Sequence, residues 1–417
     1  MIDFREFKLD NGLHVIVHED PSVQIAVLNI LYKVGSRDEK PDLTGFAHLF
    51  EHLMFGGSVN IADFDGQLQL AGGENNAFTS PDITNYYMTV PYQNLETAFW
   101  LESDRMLGLP FSDKVLEVQR SVVIEEFKQR YLNQPYGDVW LKLRPLAYTK
   151  HPYRWATIGK DISHIEVATM ESVKGFYQKY YNPNNAILVL AGNVKFDEVK
   201  ALCEKWFGPI EPGDDLVRDI PKEPTQKSKR VMEHMADVPS DMLYMTFHMP
   251  GKFEEGYYAT DLLSDVLGRE KSSRLYQQLV HDKKAFTSIS AYVMGSIDPG
   301  MLVISGKLSE GFTPQAGEEL VWGVIEDLQK EGLRKNELLK AQNQAISTIA
   351  FGELEVLNRA MGLAYAALSG DTKLINQEKQ LVERVTEADV MQAAHQVLSP
   401  DNCSVLYYKS KSIHHEN

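Results

Sequence analysis

Apolar and polar positions first divide the chain into strands and helices. Phe7-Lys8-Leu9 and Leu13-His14-Val15-Ile16-Val17 flank Asp10-Asn11-Gly12, a turn sequence that predicts a hairpin. Ile25 to Val34 is a second apolar run. The stretch from Asp42 to Gly57 is apolar at helical spacing and free of proline, with Thr44 as a candidate N-cap and Gly56-Gly57 as the stop. Gly72 to Ser80 and Thr84 to Val90, separated by Pro81-Asp82, read as another hairpin-like pair. Further on, Val115, Leu116, Val118, Val122, Val123 and Phe127 fall on one broad stripe at about 100° per residue, which predicts a helix.

The same pattern then recurs. Tyr180-Tyr181-Asn182-Pro183-Asn184-Asn185 leads into Ala186-Ile187-Leu188-Val189-Leu190, and Val397-Leu398-Ser399-Pro400-Asp401-Asn402 leads into Cys403-Ser404-Val405-Leu406. Each follows an amphipathic helix, with Val173 and Phe176 in one and Val390 and Ala393 in the other, so each is a helix–turn–strand unit with proline in the turn. Between them, Pro209 to Lys227 is proline-rich, charged and poor in apolar residues, as a linker should be. The expected division is 1–210, a linker at 211–230, and a homologous half at 231–417: an α+β chain of two related halves.

Composition narrows the class. A hydrophobic content of 43% and a charged content of 24% are ordinary for a globular protein. The net charge of −16 argues against a nucleic-acid partner, which needs a basic face. No apolar run approaches a membrane span, and Met1 to Phe7 lacks the basic-then-apolar order of a signal peptide, so a cytoplasmic site is the expectation. Cys203 and Cys403 have no metal-ligand spacing and read as buried free thiols.

Chemistry enters at His48-Leu49-Phe50-Glu51-His52. In a helix, residues four apart share a face, so His48 and His52 can grip one ion while Glu51 lies beside it. That placement suits a general base acting on a metal-activated water. Two histidines need a third protein ligand. In Gln119-Arg120-Ser121-Val122-Val123-Ile124-Glu125-Glu126, Glu126 falls near the middle of the apolar stripe and Glu125 at its edge. A carboxylate on an inward face needs a cation to offset its desolvation, which selects Glu126. Gln119, two turns earlier on the same face, can hydrogen-bond a ligand or water but cannot act as a base.

The order His-x-x-Glu-His is the inverse of the commoner zincin motif. With the Glu125-Glu126 run it makes the chain resemble the pitrilysin (insulinase-like) zinc metallopeptidases, most of all the short bacterial members related to mitochondrial processing peptidase. The resemblance spans nearly the whole chain and includes His151-Pro152-Tyr153. It implies two homologous halves facing each other across a cavity, one zinc ion per chain on His48, His52 and Glu126, and Glu51 as base. Peptide substrates would pair with an edge strand matching Asn76-Ala77-Phe78-Thr79. In the second half, Thr260, Leu263 and Ser264 are read as replacing His48, Glu51 and His52, so the copy cannot hold a metal.

One departure stands out. Active single-chain relatives carry an arginine and a tyrosine, seven apart, that bind the substrate carbonyl; here Val280 and Thr287 occupy those positions. Neither can donate a charge-assisted bond to an oxyanion. Either a homologous subunit supplies the arginine–tyrosine pair in a heterodimer, or a homodimer uses other donors such as Tyr276, His281 or Tyr292. A non-catalytic subunit of the same fold is a further reading, set against the presence of His48, Glu51, His52 and Glu126 together.

Overall fold

The computed structural model describes residues 1–414. It divides into two compact units. The first joins Met1–Arg130, Trp155–Pro221 and Ala350–Gln377, and the second joins Tyr131–Arg154, Lys222–Ile349 and the chain from Glu378 onward. Chain order alone therefore does not define the units. Residues 131–154 lie in the second and 350–377 in the first, two segments at which the compact units differ from sequential halves.

In the first unit, strands β1 (Arg5–Lys8), β2 (His14–Glu19), β3 (Ile25–Tyr32), β4 (Glu74–Thr79), β5 (Thr84–Pro91) and β6 (Ala186–Gly192) form one sheet. Their order is β1-β2-β6-β3-β5-β4. The hairpin expected at Asp10-Asn11-Gly12 is there, with Arg5 opposite Val17 and Lys8 opposite His14. Only β2 and β6 run parallel; β6–β3, β3–β5 and β5–β4 are antiparallel. β4 is thus an edge strand, bonded on one side alone. On one sheet face Ile16, Val27, Leu31, Val189 and Ala191 pack with Val356, Ala360, Leu363 and Ala364, all buried. The last four come from the helix Val356–Leu368, in the segment drawn from late in the chain.

The second unit repeats the plan. Strands β7 (Arg230–Ala236), β8 (Met242–Met249), β9 (Phe286–Met294), β10 (Gly300–Leu308) and β11 (Cys403–Ser410) lie in the order β7-β11-β8-β10-β9. The one parallel pair is β7–β11. This is the order of β2-β6-β3-β5-β4, strand for strand. Here the helix Val139–Ala147 covers a sheet face, its Val139 and Leu143 packing with Tyr244, Leu406 and Tyr408. The duplicated α+β fold expected from the repeat is present.

Turns repeat as well. Asn185 donates through Nδ2 to the carbonyls of Tyr180 (2.7 Å) and Lys33 (3.4 Å). Asn402 donates in the same way to Val397 and His248 (both 2.9 Å). Each asparagine ties the turn before a central strand to the end of its antiparallel neighbour, satisfying carbonyls that burial would otherwise strand.

Candidate metal centre

The histidine helix, Phe46–Leu53, begins at Gly45, whose φ of +91° is left-handed. A Cβ there would lie 2.6 Å from the Ile158 carbonyl oxygen, so glycine is required on two counts. Glycine offers no side-chain cap, and Thr44 does not serve as the N-cap. Its hydroxyl instead accepts from the Lys160 amide (2.8 Å) and pairs with His164 Nδ1 (2.9 Å). The free amides at the helix start go to Glu39, whose Oε2 accepts from Gly45 N (3.0 Å) and Oε1 from Ala47 N (2.8 Å). The far end stops as expected, with Gly56 N donating to Leu53 O and Gly57 at φ +95°. Phe46, Ala47, Leu49, Phe50 and Leu53 are buried, and Phe50 stacks on Phe176 with centroids 5.0 Å apart.

The glutamate helix, Asp113–Phe127, is capped by Ser112, whose hydroxyl accepts from Val115 N (3.2 Å). Its buried residues are Leu116, Val123 and Phe127. Val118 and Val122 are 51% and 44% exposed, so the inward face is narrower than the apolar stripe in the sequence suggested. Glu126 still turns inward, its side chain 17% exposed, while Glu125 faces solvent and pairs with Lys128 at 2.6 Å. Gln119 is half-buried on the same helix.

His48, His52 and Glu126 meet. His52 Nε2 lies 3.3 Å, and His48 Nε2 3.6 Å, from the same oxygen, Glu126 Oε2. One ligand atom from each falls within 4.8 Å of the others, and among the described residues no second His/Cys/Asp/Glu cluster does this. The imidazole rings stand at 79° to one another. Nitrogen and oxygen ligands about 2.1 Å from a tetrahedral ion sit roughly 3.4 Å apart, so the two measured separations fit zinc. Burial pushes His48 down to about 4, which keeps its imidazole neutral and able to ligate. The hydrogen bond from His52 holds the Glu126 carboxyl below its ordinary value, so it is ionised. Two imidazoles and one carboxylate make a three-ligand set suited to catalytic zinc.

Glu51 is on the same helix but outside the trio. Its Oε2 accepts from the Thr79 hydroxyl at 2.6 Å. Burial raises its carboxyl above the ordinary value, with the Thr79 bond pulling the other way. Thr79 ends β4, the edge strand that also holds Asn76, Ala77 and Phe78. Strand alternation puts Ala77 with Thr79 on the side of the histidine helix, while Phe78 packs on the opposite sheet face with the core around Val27 and Leu31. Asn76 is exposed.

Three contacts had no part in the sequence reading: Glu39 on the helix start, Thr79 on Glu51, and Arg130. Arg130 Nη1 lies 2.9 Å from Glu126 Oε1. Only the last had a local signal, since residues four apart on a helix face one another. In the second unit, the helix Tyr257–Gly268 also starts from a left-handed glycine, Gly256 at φ +86°. Matching the two glycines places Ala259, Leu262 and Leu263, not Thr260, Leu263 and Ser264, where His48, Glu51 and His52 stand. All three are buried apolar residues, so the conclusion that this copy lacks ligands is unchanged. His151 is buried against Asp298 within the second unit (3.2 Å) and has a structural role.

A duplicated α+β chain carries an inverted His-x-x-Glu-His helix and a glutamate that converges on its two histidines. Comparison with known proteins places it further. The family model described as "Insulinase (Peptidase family M16)" matches residues 14–153, and "Peptidase M16 inactive domain" matches 168–345. The zinc protease PqqE of Helicobacter pylori is 28% identical over 96% of this chain and 91% of its own length. An uncharacterized zinc protease of Bacillus subtilis, YmxG, is 26% identical over 93% and 92%. The crystal structure of a protease from Helicobacter pylori superposes with a TM-score of 0.91 at 27% identity, covering 98% of this chain and all of that one. The chain belongs to the pitrilysin- and insulinase-like M16 peptidase family. No helix among the described residues is long and apolar enough to cross a membrane.

Proposed function

We propose that this chain is a zinc-dependent endopeptidase acting on extended peptide segments, with His48, His52 and Glu126 as the ligands and Glu51 as the general base. The observation that carries the proposal is the meeting of both Nε2 atoms on Glu126 Oε2, with Glu51 adjacent and held by Thr79. A zinc ion there would supply Lewis acidity, polarising the scissile carbonyl and making a water more acidic. Glu51 takes the proton of that water and returns it to the departing amine. Its raised carboxyl suits both halves of the task, since a base too weak to hold the proton cannot deliver it. With Oε2 engaged by Thr79, Oε1 is the oxygen left for the water. The open edge of β4 pairs with the peptide main chain, using Asn76, Ala77, Phe78 and Thr79, and Gln119 lends a polar group near the ligands.

Val280 and Thr287 leave the second half without cationic or phenolic donors at those two positions. The chain therefore works as the metal-bearing subunit of a heterodimer whose homologous partner supplies an arginine–tyrosine pair. Lacking one such donor costs about a hundred- to a thousandfold in rate. The test is hydrolysis of a quenched fluorescent peptide library by the purified chain alone, with Glu51→Gln as control. Zinc-loaded protein that is silent alone, and cleaves when a homologous arginine-bearing subunit is added, is the expected result. Chelator-sensitive cleavage by the chain alone, absent in Glu51→Gln, would keep the peptidase and replace the heterodimer by a self-sufficient homodimer. Cleavage that Glu51→Gln retains would overturn the assignment of the base.

A further inference from the structure

Resting on the zinc reading above, we infer that Arg130 is a positioning residue for the metal centre: it engages one oxygen of Glu126 and reserves the other for the ion. The two oxygens are divided. Oε2 faces both imidazoles, at 3.3 and 3.6 Å, and Oε1 is ion-paired with Arg130 Nη1 at 2.9 Å. An unrestrained carboxylate turns about its last bond and can offer a metal either oxygen or both. One whose Oε1 is held in an ion pair presents Oε2 to the imidazoles. Outer partners of a metal ligand orient it, and losing them typically weakens metal affinity 10–100-fold.

An isolated surface ion pair at this spacing contributes little. Two features set Arg130 apart from that case. First, its partner is largely buried, the Glu126 side chain being 17% exposed against 69% for Arg130. Second, the neighbouring acid and base sort themselves the other way: Glu125 and Lys128 pair on the solvent side, at 60% and 43% exposure, leaving Arg130 to the inward carboxylate. After Phe127 the chain widens into the π-helical turn Lys128–Leu132, which carries Arg130.

Zinc affinity, read by competition with a chromophoric chelator, tests this on the full chain without recourse to activity. Arg130→Gln should bind zinc about 10–100-fold more weakly, and Arg130→Lys, which keeps a cationic donor, should recover most of the loss. Lys128→Gln removes the same charge from the solvent-side pair and should stay within about twofold of the wild type. The metal-free melting temperature of Arg130→Gln should match the wild type, separating positioning from folding. Unchanged affinity in Arg130→Gln overturns the inference, and so does an equal loss in Lys128→Gln, since bulk charge would then suffice. If the wild type itself binds zinc no better than His48→Ala, the metal reading fails, a result distinguishable from failure of the arginine's role alone.

Discussion

At the scale of single residues, the candidate centre depends on side chains that are distant from it in sequence. Thr79 Oγ1 on Glu51 Oε2 fixes which carboxylate oxygen is free. A hydrogen bond to a charged group contributes roughly 1.5–3 kcal/mol, so Thr79→Val should lower kcat about ten- to a hundredfold, with zinc content unchanged and Thr79→Ser close to wild type. Steady-state kinetics on a fluorogenic peptide would show it; equal kcat in Thr79→Val would remove Thr79 from the machinery. Glu39 gives a prediction of a different sign. Burial pushes its carboxyl up to about 8, against the amides of Ala47 and Gly45, the side chain of Trp155, and with the charge of Asp38 adding to the rise. The folded chain then holds a proton that the unfolded chain releases above the ordinary 4.5. Stability from this group is full below that value and is lost as pH rises towards about 8. The melting temperature of the wild type relative to Glu39→Gln should therefore decline between these limits, and a difference flat with pH would refute it. The sequence made His48, Glu51, His52 and Glu126 legible because a helix fixes which residues share a face. Glu39 and Thr79 were not, because a loop and a strand edge bring them to the helix and no spacing rule encodes that.

At the scale of elements, the duplication was legible and its register was not. The Pro-Asn-Asn and Pro-Asp-Asn turns stand out because proline and asparagine have few other uses before a buried strand. Aligning the two central helices by side-chain similarity alone misplaced one by a residue, since apolar helices offer no internal landmark. The left-handed glycines are that landmark, and they also differ usefully. At Gly45 (φ +91°) an added Cβ meets the Ile158 carbonyl oxygen at 2.6 Å; at Gly256 (φ +86°) the nearest atom is Pro250 Cγ at 3.5 Å, an ordinary contact. Gly256→Ala should cost about 1–2 kcal/mol, the left-handed penalty alone. Gly45→Ala adds a backbone clash to the same penalty and should cost at least twice as much, with zinc affinity falling because the histidine helix must shift. Chemical denaturation of the two variants checks the order, and equal costs would mean that the loop before Gly45 yields freely. The glutamate helix teaches the complementary lesson. Val118 and Val122 are exposed although their spacing fits an inward stripe, because a stripe reports only which positions could be buried together.

At the scale of the whole molecule, the two units are compact but not sequential, and this has a consequence that can be measured. The linker stretch 211–229 carries no helix or strand and is mostly exposed, so the chain looks divisible there. Yet the first unit's sheet is covered by Val356, Ala360, Leu363 and Ala364, and the second unit's by Val139 and Leu143. Cutting between residues 221 and 222 would leave each fragment holding a helix that belongs to the other's core and lacking one of its own. Losing a single buried leucine such as Leu363 costs roughly 2–5 kcal/mol, and losing the whole helix Val356–Leu368 takes Val356, Ala360, Leu363 and Ala364 out of that core together. That loss is comparable to the 5–15 kcal/mol by which domains are usually stable. Residues 1–221 and 222–417, expressed separately, should each be aggregated or molten, with strong dye binding and no cooperative melt. Expressed together they should assemble into a one-to-one species that binds zinc as the intact chain does. Independent, cooperatively folded fragments would show that the exchanged helices are ornaments on two self-sufficient domains. Proteolysis in the linker of the intact protein makes the same distinction from the other side: nicked chains should stay together through size-exclusion chromatography and separate only in denaturant, because each fragment contributes a helix to the core of the unit that the other fragment mostly builds.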